Sequence, residues 1–400
     1  MSASTTDLIH HPYQPPAGFA APQPGIFKAS TVIFPNVAAL RARDWRHKTG
    51  YTYGLHGTPS TFMLEERIAT LEGGRHCLLV PSGLASIAAV NLALLKTGDE
   101  VLLPDNVYGP SKSLAEGELK NWGIGHRFYD PMDPAALQAM IGPATKLVWL
   151  EAPGSVTMEF PPLAHLAQVC RERGITSALD NTWGAGLAFN GFDLGRGDRF
   201  TPGSGADVVV QALTKYPSGG GDVLMGSVVT RDEALHVQLK LSHMRMGWGL
   251  GGNDVEAVLR SLPSIEVRYR AHDQAARQLA AWLKARPEVA QVLHPAFEGS
   301  PGHEHWRALC GDDGIAAGLF SIVLHERYSQ PQVDAFCDRL RLFKMGYSWG
   351  GPVSLVVPYD IPAMRGASWP YKGGLVRFSI GLEVADDLQA DIEQALGALA

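Results

Sequence analysis

The chain has 400 residues, 46% of them hydrophobic and 18% charged, with a formal net charge of -6. That is enough apolar material for one large core and a second, smaller unit, which excludes disorder as the default. Mild acidity with both signs interleaved offers no broad basic field for nucleic acid or an anionic membrane, so any partner must be recognised locally.

The first segment, "MSASTTDLIHHPYQPPAGFAAPQPG", carries proline at positions 12, 15, 16, 22 and 24. It is expected to run extended, as an arm lying on a neighbour and not as part of a core. It has no basic stretch followed by an apolar one, so the expectation is a cytoplasmic protein without a secretory signal. From Thr58, "TPSTFMLEERIATLEGG" combines a hydroxyl and proline start, Leu64, Ile68 and Leu71 on one helical face, and a glycine stop. This spacing predicts a helix. The apolar run from Cys77 to Leu95 approaches the length of a membrane span, but Pro81, Ser82 and Gly83 break it into a strand, a turn and a helix.

Short apolar runs then alternate with amphipathic segments. "HCLLVP", "EVLLPD", "TKLVWLE", "ITSALD" and "ADVVVQALTK" read as strands, with "LAHLAQVCRERG" as one of the intervening helices. Strands apolar on both faces argue for a mostly parallel sheet covered by helices, an α/β class. A sheet of this kind places its ligand site outside the carboxyl ends of its strands. The residues found there are Ser82 and Gly83, Asp105 to Tyr108, Glu151, Asp180, and Thr214 with Lys215. From about Asn253 the chain is helix-rich through "DQAARQLAAWLKARPEVAQVLHP". Strand candidates "GLFSIVLH" and "GLVRFSIGLE" and a final helix from Val384 follow, as in a smaller α+β domain. The expected division is an arm over residues 1–57, a large domain over 58–252 and a small one over 253–400.

Cys77, Cys170, Cys310 and Cys337 are too scattered for a zinc site or a disulfide frame, and the pairs His10/His11 and His303/His305 lack further ligands, so no metal is expected. Gly247, Gly249 and Gly252 formally match a dinucleotide fingerprint but follow a helical segment, not a strand, and are discounted.

Lys215 ends a buried strand, a costly place for an ammonium. An amine of lowered pKa is a nucleophile, and a lysine joined to an aldehyde carries no free ammonium to desolvate. Pyridoxal 5'-phosphate is the cofactor that uses such a lysine; it also needs an acid at its pyridine nitrogen and donors for its phosphate. Asp180, one strand away, supplies the acid. Ser82 and Gly83 open a helix whose first N–H groups make an anion site, and Tyr108 is placed to stack on the ring.

The segments "YGLHGTP", "LEGG", "PSGLAS", "DNVYGPS", "LEAPGSVTME", "LDNTWGAG", "TKYPSGGGDVLMG", "YSWGGPVSL" and "VRFSIGLE" together resemble the Cys/Met metabolism enzymes that use pyridoxal phosphate. The resemblance implies a type I aminotransferase-like fold: an arm, a large cofactor domain with a mostly parallel sheet, and a smaller α+β C-terminal domain. It implies a homotetramer, a dimer of dimers, with shared active sites. By motif, Lys215 is the Schiff-base lysine and later the base, Asp180 the pyridine partner and Tyr108 the stacking ring. Gly83 and Leu84 are the phosphate-binding amides, with hydroxyls from Ser82 and Thr214, and Tyr53 reaches the phosphate from the neighbouring subunit. Arg377 holds the substrate α-carboxylate, with Ser348 and Trp349 beside it. Tyr347 and Trp349 in "GYSWGG" resemble the β-eliminating members, which implies conversion of L-cystathionine to homocysteine, pyruvate and ammonia in methionine biosynthesis. The alternatives are γ-elimination or γ-replacement on the same scaffold, a general cysteine carbon–sulfur lyase, and a non-catalytic relative. Three positions depart from the family: Leu55 stands for an arginine, Ala212 for a serine, and Val353 for a glutamate.

Overall fold

The computed structural model describes residues 5–13, 16–195, 202–365 and 369–399. Pro15, one of the arm prolines, lies outside them. The helix predicted from Thr58 runs Pro59–Glu72. Thr58 Oγ1 accepts the Thr61 N–H at 3.3 Å, and Thr61 Oγ1 accepts the Thr58 N–H at 2.7 Å, so two otherwise orphaned donors are satisfied. Leu64, Ile68 and Leu71 are buried, and Gly73 ends the helix in the left-handed region.

Seven strands follow: β1 His76–Val80, β2 Glu100–Pro104, β3 Gly125–Tyr129, β4 Thr145–Glu151, β5 Thr176–Asp180, β6 Val208–Ala212 and β7 Gly226–Thr230. Their order is β1-β7-β6-β5-β4-β2-β3. β7 is antiparallel to both neighbours and every other pair is parallel. Strand residues point alternately to two apolar layers: Val208 and Val210 to one, Val209 to the other. Burial on both faces is why these strands read as unbroken apolar runs.

The second sheet comprises β8 Val289–Leu293, β9 Leu319–Leu324, β10 Lys344–Met345, β11 Leu355–Tyr359 and β12 Leu375–Ser379, in the order β10-β11-β12-β9-β8. Here too alternation decides function. Val376 and Phe378 enter the small domain's own core, whereas Leu375 belongs to the core of the large sheet and Arg377 lies on that same side. The last helix runs Ala385–Leu396.

Several elements differ from the sequence expectations. The N-terminal segment is not wholly an extended arm: Thr5–Ile9 is helical and Leu8, 1% exposed, packs in the main core. The prolines begin only at position 12, after that turn. "VAQVL" is a strand, not helix, because the helix Ile265–Lys284 stops before Pro287, which cannot join it. β3 carries no clear strand signal, since it is an edge strand with polar residues on its exposed face. β7, β10 and β11 are hidden in the sequence because they emerge from glycine- and proline-rich stretches. No helix among the described residues is long and apolar enough to cross a membrane, and no His, Cys, Asp and Glu cluster able to hold a metal occurs among them. All four cysteines are free and buried.

Candidate active site

Parallel strands point their carboxyl ends the same way, so the loops after β1, β2, β4, β5 and β6 gather at one edge of the large sheet. A cavity of about 630 Å³ opens there, lined by Ser82, Tyr108, Glu151, Asp180, Lys215 and Arg377 among others. Of the residues expected at separate strand ends, Ser82, Gly83, Tyr108, Glu151, Asp180, Thr214 and Lys215 share this space, joined by Arg377 from the second sheet, whereas Asp105, Asn106 and Val107 are not part of its lining. Leu84, Tyr347, Ser348 and Trp349 also line it.

Lys215 sits three residues beyond β6, in a turn where its N–H donates to Ala212 O at 3.1 Å. Its Nζ donates to Ser348 Oγ at 2.8 Å and lies 5.4 Å from the centre of the Trp349 ring. Gly350 explains this closeness. Its φ is +79°, and a Cβ there would lie 3.0 Å from Tyr216 N and 3.1 Å from the Lys215 carbonyl carbon. Only glycine lets the Ser348 loop rest on the lysine's backbone. Burial lowers the Lys215 pKa to about 8, helped by the Arg377 guanidinium and opposed by Asp180.

Asp180 takes both of its hydrogen bonds on Oδ1, from Thr182 N at 2.9 Å and Thr182 Oγ1 at 2.5 Å. Oδ2 has no protein partner among the described residues. Burial raises the carboxyl pKa, against the Thr182 bonds and Lys215, so a cationic N–H offered to Oδ2 fits this site.

Ser82 caps the helix Gly83–Leu94, its hydroxyl accepting the Ala85 N–H at 3.0 Å. The Gly83 and Leu84 N–H groups are first-turn donors with no intrahelical acceptor, at the positive end of the helix dipole. A Cβ on Gly83 would lie 2.5 Å from Ala212 Cβ, so glycine brings this donor nest against the end of β6. Thr214 also lines the cavity, but its hydroxyl is engaged with Met225, accepting the N–H at 3.2 Å. This donor set fits a phosphate through backbone groups and hydroxyls.

Arg377 is 5% exposed. Its Nη2 donates to Tyr347 O at 2.8 Å, its Cζ lies 5.3 Å from the Tyr359 ring centre, and its Nε is buried without an acceptor. Burial lowers its pKa. A guanidinium with unused donors inside a cavity suits a carboxylate ligand.

Tyr347 is exposed at the cavity mouth. Tyr53 does not line its own chain's cavity; its hydroxyl accepts from Ser30 Oγ at 3.2 Å. Val353 is exposed and away from the lining, whereas Ala212 is part of it. His56, beside Leu55, shares a hydrogen bond of 2.8 Å with Thr52, and burial followed by Lys240 lowers its pKa.

Glu151 has a place the sequence did not assign. It pairs across the sheet with Asp180, and its Oε2 accepts the Tyr108 N–H at 2.9 Å. Burial, followed by the neighbouring Asp180, holds its pKa well above the usual range, and its hydrogen bond orients the Tyr108 backbone. The only sign of this in the sequence is an acid at a strand end.

The cost of burying Lys215 gives a pH signature. The amine is unfavourable as a cation in the folded, cofactor-free protein, so between about pH 8 and its ordinary value of 10.5 the unfolded chain binds more protons and stability rises with pH. Lys215→Met is expected to raise the Tm of the cofactor-free protein at pH 7, with the gain shrinking toward pH 10. Thermal melts of both proteins at the two pH values check this; a gain independent of pH contradicts it.

Residues 5–397 match the family of Cys/Met metabolism PLP-dependent enzymes, and the chain belongs to that family. The cofactor of the family is pyridoxal phosphate. The chain is 36% identical to the cystathionine beta-lyase of Bordetella avium, the match covering 97% of this chain and 96% of the relative. It is likewise 36% identical to the cystathionine beta-lyase of Salmonella typhimurium, over 92% of this chain and 91% of that one. Among solved structures, cystathionine gamma-lyase from Lactobacillus plantarum superposes with a TM-score of 0.85 at 26% identity, covering 99% of this chain and 98% of the other.

Proposed function

We propose that this member of the Cys/Met metabolism PLP-dependent enzyme family catalyses β-elimination of L-cystathionine to homocysteine, pyruvate and ammonia, a step of methionine biosynthesis. The observation that carries the reading is the position of Lys215 Nζ, held by Ser348 in a cavity shared with Asp180 and Arg377. Pyridoxal phosphate, when bound, supplies an electron sink for charge developing at the substrate Cα. Lys215 holds the cofactor aldehyde at rest, Asp180 the pyridine nitrogen, and Tyr108 stacks on the ring. Ser82, Gly83, Leu84 and Thr214 hold the phosphate. Arg377 takes the substrate α-carboxylate. With the cofactor bound, Lys215 would also be the group that removes the substrate Cα proton; a pKa of about 8 leaves a useful fraction of neutral amine near neutral pH. The Cβ–S bond then breaks with its electron pair on sulfur, homocysteine leaves, and water converts the three-carbon remainder to pyruvate and ammonia.

The same reading has residues 1–57 as the arm, 58–252 as the cofactor domain and 253–400 as the C-terminal domain. It has the chain acting as a cytoplasmic homotetramer in which Tyr53 completes the neighbour's phosphate site. Tyr347 and Trp349 favour β over γ chemistry. Purified enzyme given L-cystathionine is expected to release pyruvate as the dominant keto acid; mainly 2-oxobutyrate means γ-elimination.

A second reading has one observation in its favour. Glu151, Asp180, Lys215 and Arg377 are the charged residues among the described lining of the cavity. With Arg377 on the α-carboxylate, no free charged group of this lining remains for the distal ammonium and carboxylate of cystathionine, and Leu84, Met158, Leu224 and Met364 make the wall apolar. A general cysteine thioether lyase fits that wall. The same pyruvate assay with S-methyl-L-cysteine separates the two: cystathionine preferred by about tenfold or more in kcat/KM supports the first, the reverse order the second.

A further inference from the structure

Arg365 follows the short helix Ile361–Met364, which leaves β11 and brings Met364 to the cavity wall. Its side chain crosses from the small domain to the edge of the large sheet. There Nε lies 3.3 Å from Asp105 Oδ2, and Nη1 bonds Glu159 Oε1. The guanidinium and both carboxylates are at most 10% exposed. Asp105 stands at the end of β2, three residues before Tyr108. Glu159 closes the loop after β4, which supplies Ala152 to Val156 and Met158 to the cavity wall. One side chain thus binds three walls of the cavity together: the loop carrying Tyr108, the loop after Glu151, and the segment between Tyr359 and Met364.

The other oxygens of both carboxylates are engaged as well. Glu159 Oε2 accepts from Asn106 Nδ2 at 2.9 Å and Thr157 Oγ1 at 2.5 Å. Lys112 Nζ lies 3.5 Å from Asp105 Oδ1 and donates to Met364 O at 2.7 Å. Two cations therefore meet two carboxylates across the junction. Buried ion pairs add little stability over an apolar plug of the same shape, so what this arrangement provides is a defined geometry. Arginine is required for it, since its planar fork reaches two carboxylates at once and a lysine ammonium cannot.

We propose that Arg365 is a positioning residue: by joining Asp105 to Glu159 it sets the width of the cavity between Tyr108 and Met364, and with it the affinity for the amino-acid substrate. This rests on the cavity being the thioether site described above. The variants are Arg365→Lys, which keeps the charge without the fork, and Glu159→Gln, which keeps the shape without the charge, both in the cofactor-loaded enzyme. With L-cystathionine the KM is expected to rise about tenfold in each while kcat stays within about threefold. Backbone hydrogen exchange is expected to quicken together at residues 106–109 and 359–365 and to stay unchanged in β6, which a general loss of stability would not produce. An unchanged KM in both variants, or exchange at 106–109 equal to that of the unaltered enzyme, overturns the proposal. If the unaltered enzyme leaves cystathionine intact, the proposed substrate fails, and the exchange comparison alone decides the role of Arg365.

Discussion

Replacing Lys215 with alanine is expected to remove elimination activity, lowering kcat by at least about 10³-fold, because in the proposed mechanism the same amine holds the cofactor and takes the Cα proton. The protein should stay folded. The lysine contributes a partly buried cation whose desolvation is unfavourable, and its side chain hydrogen-bonds Ser348. The phosphate donors at Gly83 and Leu84 and the carboxylate of Asp180 are untouched, so the variant should still bind pyridoxal phosphate noncovalently. The measurements are turnover, circular dichroism, and the visible absorption of the bound cofactor, which in the unaltered enzyme should be fixed to protein by borohydride and in the variant should not. Turnover within about tenfold of the unaltered enzyme would remove Lys215 from the chemistry.

Arg377→Ala is expected to have the next largest effect. Every amino-acid substrate brings an α-carboxylate into a cavity where this guanidinium, 5% exposed, is the cation with donors to spare. Truncating a charged hydrogen-bond partner costs about 1.5 to 3 kcal/mol, which is roughly ten- to a hundredfold in kcat/KM. The loss should fall mainly on KM, since the carboxylate is held alike in ground and transition states. Arg377→Lys should recover part of it, retaining charge but not the paired bonds. Steady-state kinetics of both variants check this. An unchanged kcat/KM in the alanine variant would place the substrate carboxylate elsewhere.

Both residues are legible in the amino-acid sequence, and for different reasons. Lys215 breaks a strand pattern at its end, a local contradiction that any reading of the segment meets. Arg377 needs more: in "VRFSIGLE" it is one strand residue among others, and the resemblance to a family singles it out. Its burial on the cavity side follows from alternation along β12, with Val376 and Phe378 taking the opposite face. Glu151 shows the limit of such reading. An acid at a strand end is visible, but its raised pKa and its bond to the Tyr108 N–H arise only when β4 and β5 pair and the loop after β2 folds over them.

The class of fold, the edge of the sheet on which the chemistry gathers, and the core trio of lysine, aspartate and helix N-terminus all follow from local pattern. Strand period, apolar runs buried on both faces, caps and glycine stops act over a few residues, and parallel strands must present their ends together. What closes the site depends instead on the packing of distant segments. Arg365 meets Asp105 and Glu159 across 260 and 206 residues of sequence. Gly350 meets the backbone of Lys215 and Tyr216, and Leu8 finds the main core. No periodicity encodes contacts between such distant segments, because each is fixed by how two independently formed layers pack and by which buried charges must then find partners.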